Sequence, residues 1–329
     1  MSMLEGAPWL LAHKSMVQIN RPMKVSLYGK DYVLWKDKTG RVNGLSNVCP
    51  HMGAMLSEGW CETKADGSSS VVCPFHALEF DRDGCTVLPG TNNQTSSQLQ
   101  PLELIVKGDF IWSYGGCEPK IPVPDILDKI ARDYEFVGST ADTSVKTDLR
   151  SMLLNMHDYN HQNGTHRDLF EITEVKFEKF IDNGYHSEAF FNTPTAPKSL
   201  WQKLKQPGLL LLPDVIQVHL ENYFPSLVIL HSQSPFGKVV QGNLLVPESI
   251  DRSRIYILLF AEANHLLGKL LKKQLLELNK VVVEQDANIL NKIYADAPKK
   301  IKLNNEVGMD WIDRNFAKWE SENTAVGIN

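Results

Sequence analysis

Cys49-Pro50-His51 and, 21 residues later, Cys73-Pro74-Phe75-His76 are the stretches that decide how this chain is read. Each half supplies one thiolate and one imidazole, so together they offer two sulfurs and two nitrogens to a metal centre. A zinc finger uses the same residue types but pairs like with like, C-x2-4-C with H-x3-5-H. Here each half is mixed, at C-x-H and C-x2-H. Such ligands belong on loops between strands, because each pair must point at one spot from its own direction. The surrounding sequence provides them. Val25, Leu27 and Tyr32–Trp35 flank the turn Gly29-Lys30-Asp31, and Asp37–Gly40 and Asp81–Gly84 are further hairpin signals, each followed by β-formers. Ala65–Ser70 reads as a flexible loop between the two pairs, since lengthening a surface loop costs little.

An iron–sulfur cluster held by cysteines alone needs four of them; here histidines replace two, which is the ligation of a Rieske [2Fe–2S] centre. The two thiolates hold one iron and the two imidazoles the other. Neutral imidazole donates less charge than thiolate, so such a cluster is easier to reduce, and the segment is expected to handle single electrons. Cys49, Cys61, Cys73 and Cys85 recur at intervals of twelve, but only the first and third have a histidine close behind. Cys61, Cys85 and Cys117 therefore read as ordinary thiols.

The 329 residues allow one large or two medium domains, and 43% hydrophobic with 22% charged residues is ordinary for a globular protein. Lys plus Arg total 34 against 39 acids, a net charge of −5 with no basic block, which argues against a nucleic-acid partner. Five cysteines do not make a disulfide scaffold, and iron–sulfur chemistry suits a reducing compartment, so a cytoplasmic location is expected. The apolar patch Pro8–Ala12 has no basic segment before it, so no signal peptide is expected; Leu209–Val218 and Ile255–Ala261 are too short for a transmembrane segment. Gly115–Pro124, with three prolines in six residues, is the best domain boundary in the chain. The expected division is 1–118 and 119–329, with about the first 20 residues able to pack on the second domain.

Beyond that boundary Leu149–Tyr159 reads as a helix, followed by strands such as Val175–Phe180, Val215–Leu220 and Ser226–His231. Leu267, Leu271, Leu275 and Leu278 lie at helical spacing, a stripe read as core. The helical segment leads into a second polar constellation, His157-Asp158-Tyr159-Asn160-His161 and then Gly164-Thr165-His166. His157 and His161 would share a helix face. His161 and His166 stand about 140° apart on a regular helix, so they can meet only if the helix stops between them. Asn163-Gly164 is a suitable stop, because glycine accepts the left-handed conformation that ends helices. His157 is assigned to packing. The zinc-peptidase helix H-E-x-x-H is a poor fit, since Asp158 stands where the glutamate would be.

Two histidines and one carboxylate on one face of Fe(II) leave positions open for O2 and water. The candidate carboxylate is Asp286, after the apolar run Val281–Val283 and opening a segment with Ile289 and Ile293 at helical spacing; Glu284 is its nearest rival.

These residues resemble the Rieske non-heme iron oxygenases, specifically their catalytic α subunits. Members carry C-x-H…C-x2-H, then D-x2-H-x4-H, then a distant Asp in a segment like Gln-Asp-x-x-Ile-Leu; here these become Cys49, His51, Cys73 and His76, then Asp158, His161 and His166, then Asp286. The resemblance covers nearly the whole chain in order. This sequence departs where relatives commonly read C-P-H-R-G and C-P-Y-H-G-W: it has Met52, Phe75, Ala77 and Leu78, and a somewhat long spacer between the cluster halves. All eight functional positions are present, so the departures concern the surroundings of the cluster.

The resemblance implies an α+β chain: an N-terminal all-β Rieske domain, then a helix-grip-like antiparallel sheet flanked by helices that holds mononuclear Fe(II). It implies a homotrimer in which the cluster of one subunit feeds the iron of its neighbour, with Asp158 bridging a cluster histidine, His76 of the adjacent chain, to His161. It implies an O2-dependent oxidoreductase of the shorter type that includes demethylases, monooxygenases and some desaturases, acting on an apolar, aromatic or polycyclic small molecule. No G-x-G-x-x-G motif or flavin domain is visible, so electrons are expected from a separate ferredoxin or flavin reductase. Pocket candidates are Phe190, Phe191, Leu209–Leu212, Tyr223 and Phe224. The alternatives from other classes are an iron–sulfur electron carrier without oxygenase activity, which would need nothing after the first domain, and a zinc-dependent hydrolase, which would bind no iron.

Overall fold

A computed structural model of the chain describes residues 3–87, 97–140, 142–197, 199–205, 213–234, 237–262, 272–294 and 300–326. Leu209–Leu212, Leu267 and Leu271 lie outside the described residues. The chain divides into two compact units, Met3–Val123 with Val246–Ile250, and Pro124–Leu245 with Asp251–Asn329.

The first unit is built from small antiparallel sheets. β1 (Trp9–His13), β9 (Ile105–Lys107) and β10 (Phe110–Ser113) form one, in the order β1-β10-β9, which takes up the N-terminal segment within this unit. β2 (Met23–Leu27), β3 (Lys30–Lys36) and β4 (Val42–Ser46) form a second, and β5 (Trp60–Thr63), β6 (Ser69–Val72), β7 (Glu79–Phe80) and β8 (Thr86–Val87) a third. Side chains tie the expected hairpins. The Asp37 carboxylate accepts the backbone N–H groups of Thr39 and Arg41 at 2.9 and 3.1 Å, closing the β3–β4 turn. The stretch read as a flexible loop, Ala65–Ser70, is instead a closed turn running into β6. Asp66 accepts the Ser68 N–H at 2.9 Å, Lys64 N–H reaches Ser68 O at 2.8 Å, and Ser69 and Ser70 are buried strand residues. Between the sheets lies a core of Val33, Trp35, Leu45, Leu56, Val71 and Phe80, and Cys49 and Cys73 belong to it.

In the second unit, β11 (Glu135–Ser139), β12 (Thr143–Val145), β13 (Lys176–Asn183), β14 (His186–Pro194), β15 (Val215–Tyr223), β16 (Leu227–Ser234), β17 (Gly237–Ser249, of which Val246 onward counts with the first unit) and β18 (Arg252–Ala261) make one sheet, ordered β11-β18-β17-β16-β15-β14-β13 with β12 also on β18. Consecutive strands from β13 onward are neighbours, as an antiparallel meander requires. Burial alternates strictly along β14, so Ser187, Ala189, Phe191 and Thr193 face inward.

Among the described residues the helices are α1 (Ile126–Asp133), α2 (Leu149–His157), α3 (Arg167–Phe170), α4 (Leu200–Lys205), α5 (Lys272–Leu290) and α6 (Val307–Val326), of which α1, α2, α5 and α6 pack on strands of the sheet. The Asp148 carboxylate starts α2 by accepting the Ser151 N–H at 3.0 Å. Among the described residues no helix is long and apolar enough to cross a membrane.

α2 ends at His157, two residues before the expected end at Tyr159, so Asn163-Gly164 is not the stop that lets His161 and His166 meet. Asp158 turns extended (φ −84°, ψ 96°), and its carboxylate accepts the Asn160 N–H at 3.0 Å, a local bond that competes with continuation of the helix. Gly164 has φ −105°, so its access to left-handed backbone is not used. The other end of the candidate site is equally different from expectation. Asp286 does not open a segment; it lies within α5, a single helix that also carries Leu275 and Leu278.

Candidate metal centres

Cys49–His51 and Cys73–His76 sit on two turns with the same backbone bonding. Cys49 N–H reaches Ala54 O at 2.9 Å and Gly53 N–H reaches Cys49 O at 2.9 Å; Cys73 N–H reaches Leu78 O at 2.9 Å and Ala77 N–H reaches Cys73 O at 3.1 Å. Each turn thus closes five residues after its cysteine, and the residue four after it adopts left-handed backbone: Gly53 at φ 76° and Ala77 at φ 53°. Glycine carries that conformation freely, whereas alanine bears a steric penalty of about 1 kcal/mol or more. The departure at Ala77 therefore falls where the backbone itself favours glycine.

The two turns bring all four side chains together. Cys49 and Cys73 are 2% and 1% exposed and lie within thiol–thiol hydrogen-bond reach, while His51 and His76 are exposed with ring centroids 4.6 Å apart. Burial pushes the Cys49 thiol up, and the backbone N–H of His51, followed more weakly by that of Met52, acts against it. Two sulfurs sunk in the core and two imidazoles at the surface are a donor set that fits a [2Fe–2S] cluster. Cys61 takes no part: it packs beside this core with its thiol pushed up to about 12 by burial.

His161, His166 and Asp286 converge in the second unit. His161 lies in a 3-10 turn, His161–Asn163, that follows the Asp158 break, and His166 caps α3. Nε2 of His161 is 3.6 Å and Nε2 of His166 is 3.3 Å from the same Asp286 oxygen, Oδ1. That oxygen is buried and has no hydrogen-bond partner. A buried carboxylate oxygen left without a bond is costly, and here it is flanked by two imidazole nitrogens. Cis ligands about 2.1 Å from a metal stand about 3 Å apart, so the trio fits a divalent iron.

The far sides of both rings are fixed. Nδ1 of His161 meets the backbone carbonyl of Asp158, and Nδ1 of His166 lies 2.8 Å from Gln285 Oε1. A carbonyl oxygen only accepts, so each Nδ1 donates, leaving the Nε2 lone pairs turned toward Asp286. Burial pulls the His166 imidazole down, but the negative charge of Asp286 beside it outweighs this and holds it above the ordinary histidine value. Glu284, the rival carboxylate, is exposed on the opposite side of α5 and pairs with Lys280 at 3.7 Å. His157 is buried, donates from Nδ1 to Leu153 O at 2.8 Å and stacks near Trp311 at 5.5 Å, as a packing residue would.

The trio opens onto a cavity of about 210 Å³ whose wall includes Phe191, Val218, Leu220 and Leu230 of the sheet. Leu275 and Leu278 of α5 line it too, so these two members of the leucine stripe face the cavity rather than a sealed core. The stripe continues through Asn279, Val282, Val283 and Asp286, which puts the carboxylate on the same helix face as the cavity wall. Gln241 and Asn243 add a polar patch, with the Gln241 amide 2.8 Å from Asn243 Oδ1. Of the expected pocket residues Phe191 lines the cavity. Phe190 points to the other face of the sheet against His219, Tyr223 bonds Glu221, and Phe224 is buried among Trp311, Phe316 and Trp319; strand alternation and the aromatic cluster on α6 place them there.

Residues 8–100 match the Rieske [2Fe–2S] domain family. The aminopyrrolnitrin oxygenase PrnD of Pseudomonas fluorescens is 28% identical over 49% of this chain and 46% of its own length. A cholesterol 7-desaturase of Ciona intestinalis is 24% identical over 95% of this chain and 67% of its own length. The chain therefore spans about half of the first relative and two thirds of the second. Among solved structures, dicamba monooxygenase bound to 3,6-dichlorosalicylic acid superposes with a TM-score of 0.76 at 18% identity, covering 98% of this chain and 99% of that one. With a Rieske domain at its N-terminal end, oxygenases among its relatives and one of their folds along its length, the chain resembles the catalytic (alpha) subunits of Rieske non-heme iron oxygenases.

Proposed function

We propose that this chain is the oxygenase component of a Rieske-type system, using O2 and externally supplied electrons to hydroxylate, demethylate or desaturate a small apolar molecule of aromatic or polycyclic type. The observation that carries this reading is the unpartnered Asp286 oxygen between His161 and His166, at the edge of an apolar cavity. Cys49, His51, Cys73 and His76 would hold the [2Fe–2S] cluster within a Rieske domain spanning residues 1–118, and His161, His166 and Asp286 the mononuclear iron within 119–329. When bound, the cluster supplies single electrons and the iron activates O2.

The residues of the chain position and shield that chemistry. The Asp158 carbonyl and Gln285 hold the two imidazoles in one tautomer and orientation. The apolar wall keeps water from the reacting bond and receives the hydrocarbon part of a substrate, and Gln241 with Asn243 offers a polar anchor at one place. The Asp158 carboxylate accepts the Asn160 N–H while its carbonyl takes His161, so a cluster histidine of an adjacent chain that reached this carboxylate would be linked to His161 through a single residue. In this reading the chain works as a homotrimer in which electrons cross between subunits. A ferredoxin or flavin reductase would deliver them, and the iron–sulfur cluster favours a cytoplasmic, reducing setting.

The test is turnover of a panel of aromatic and sterol-like compounds by the fully loaded protein with a surrogate ferredoxin and reductase. Product formation matched by O2 consumption and dependent on Asp286 is expected. Cluster reduction with no mononuclear iron bound and no product from any compound would instead make the chain an electron carrier.

A further inference from the structure

On the opposite face of the sheet from the cavity, alternation along the strands gathers a second set of ligating side chains. His219 of β15 is the direct cross-strand partner of His231 on β16, and Glu221 of β15 is the direct partner of Glu188 on β14. One ligand atom from each of His219, Glu221 and His231 lies within 4.8 Å of the others. The two imidazoles stack at 4.9 Å, and Phe190 stacks on His219 at 4.3 Å. Nε2 of His219 lies 2.9 Å from Glu188 Oε2, Nε2 of His231 lies 2.8 Å from Glu221 Oε1, and Tyr223 donates to the other Glu221 oxygen at 3.0 Å.

Like charges directly opposite one another across neighbouring strands are destabilising, and Glu188 faces Glu221. Each imidazole meets one carboxylate oxygen, and a single divalent cation held among these groups would offset both negative charges. The four side chains are each between 17% and 30% exposed, and the two histidines line a cavity of about 370 Å³ together with Glu178 and Lys238. Two imidazoles and carboxylate oxygens at this spacing form a donor set suited to zinc, with the fourth position left to Glu188 or water.

We propose that His219, Glu221 and His231 form a second metal site, taking a divalent cation of the zinc class and separate from the His161–His166–Asp286 centre. Because Val218, Leu220 and Leu230 on the same strands line the cavity, a cation there would clamp β15 to β16 behind its wall.

The probe is zinc chloride added to the fully iron-loaded protein after a mild chelator has removed loosely held ions. Bound zinc and iron are then measured after gel filtration, together with the melting temperature. We expect about one zinc per chain with no loss of iron and a raised melting temperature. In His231→Gln and in His219→Gln/His231→Gln the zinc affinity should fall more than tenfold while iron content and cluster absorbance stay as in the parent, which also shows that the variants fold. No zinc uptake, uptake matched by equal loss of iron, or equal uptake by parent and variants would overturn the proposal.

Discussion

Cys49–His51 and Cys73–His76 stand on two short turns that repeat the same backbone hydrogen bonds, each completed within five residues of its cysteine. His161, His166 and Asp286 are assembled differently, from a 3-10 turn, the cap of a one-turn helix and the interior of α5, with 119 residues between His166 and its orienting partner Gln285. The first set depends on local turn geometry and on a core that swallows the two thiols. The second depends on the packing of α5 against the sheet and the post-α2 segment. A change to a turn should therefore act on the cluster alone, whereas the trio should respond to anything that moves α5.

The largest separation of the two is expected from substitutions of the ligands themselves. Asp286→Ala should lower turnover at least about 100-fold and release mononuclear iron, leaving the cluster's visible absorbance unchanged. Glu284→Gln, on the exposed side of the same helix, should leave both metals and turnover as they were. Metal analysis and activity of the two variants side by side would show whether Asp286 or its neighbour holds the iron. Cys73→Ala gives the converse case: cluster absorbance should vanish while mononuclear iron still binds.

Asp158→Asn probes the link between the two sets. We expect both metals to be retained and coupled turnover to fall by about 10- to 100-fold, because the carbonyl that orients His161 survives while the carboxylate charge is lost. Full activity in that variant would refute the bridging role.

An effect on stability rather than turnover belongs to His157, which burial holds at a pKa of about 4 against an ordinary 6.5. The unfolded chain takes up this proton below about 6.5 and the folded one only below about 4, so the unfolded state binds more protons in that window. Stability should therefore drop by about 3 kcal/mol as the pH falls from 6.5 to 4. His157→Gln should flatten the dependence of the urea midpoint on pH across that range. An unchanged slope would mean that His157 is not the group responsible.

The smallest effect tests the matched turns. Ala77→Gly should relieve left-handed backbone strain and stabilise the first unit by about 1 kcal/mol or slightly less, since glycine also frees the unfolded chain. The same substitution should leave turnover unchanged.

How much of this was legible in the chain follows from the same contrast. The cluster pairs could be read directly, because C-x-H and C-x2-H are local and the hairpin residues around them signal their own turns. The D-x2-H-x4-H segment was legible as a ligand source, but the place of the helix break was not. Asp158 stops α2 through its own bond to Asn160, a competition between side chain and helix that the presence of Gly164 masked. Asp286 is legible beside an apolar run, but its place inside one long helix is not. The leucine spacing and Asp286 belong to one helix face, and continuing the stripe from Leu275 and Leu278 through Val282 would have led to it. The pocket aromatics are not legible without the strand register: Phe190 and Phe191 are adjacent, so only one of them can face the cavity, and composition does not say which.

The direct test of two separate iron centres on one polypeptide is the ratio of iron to acid-labile sulfide after anaerobic loading and removal of unbound metal. Roughly three irons to two sulfides per chain is the expected result. A ratio near one to one, or a colourless protein that holds zinc in place of iron, would contradict it.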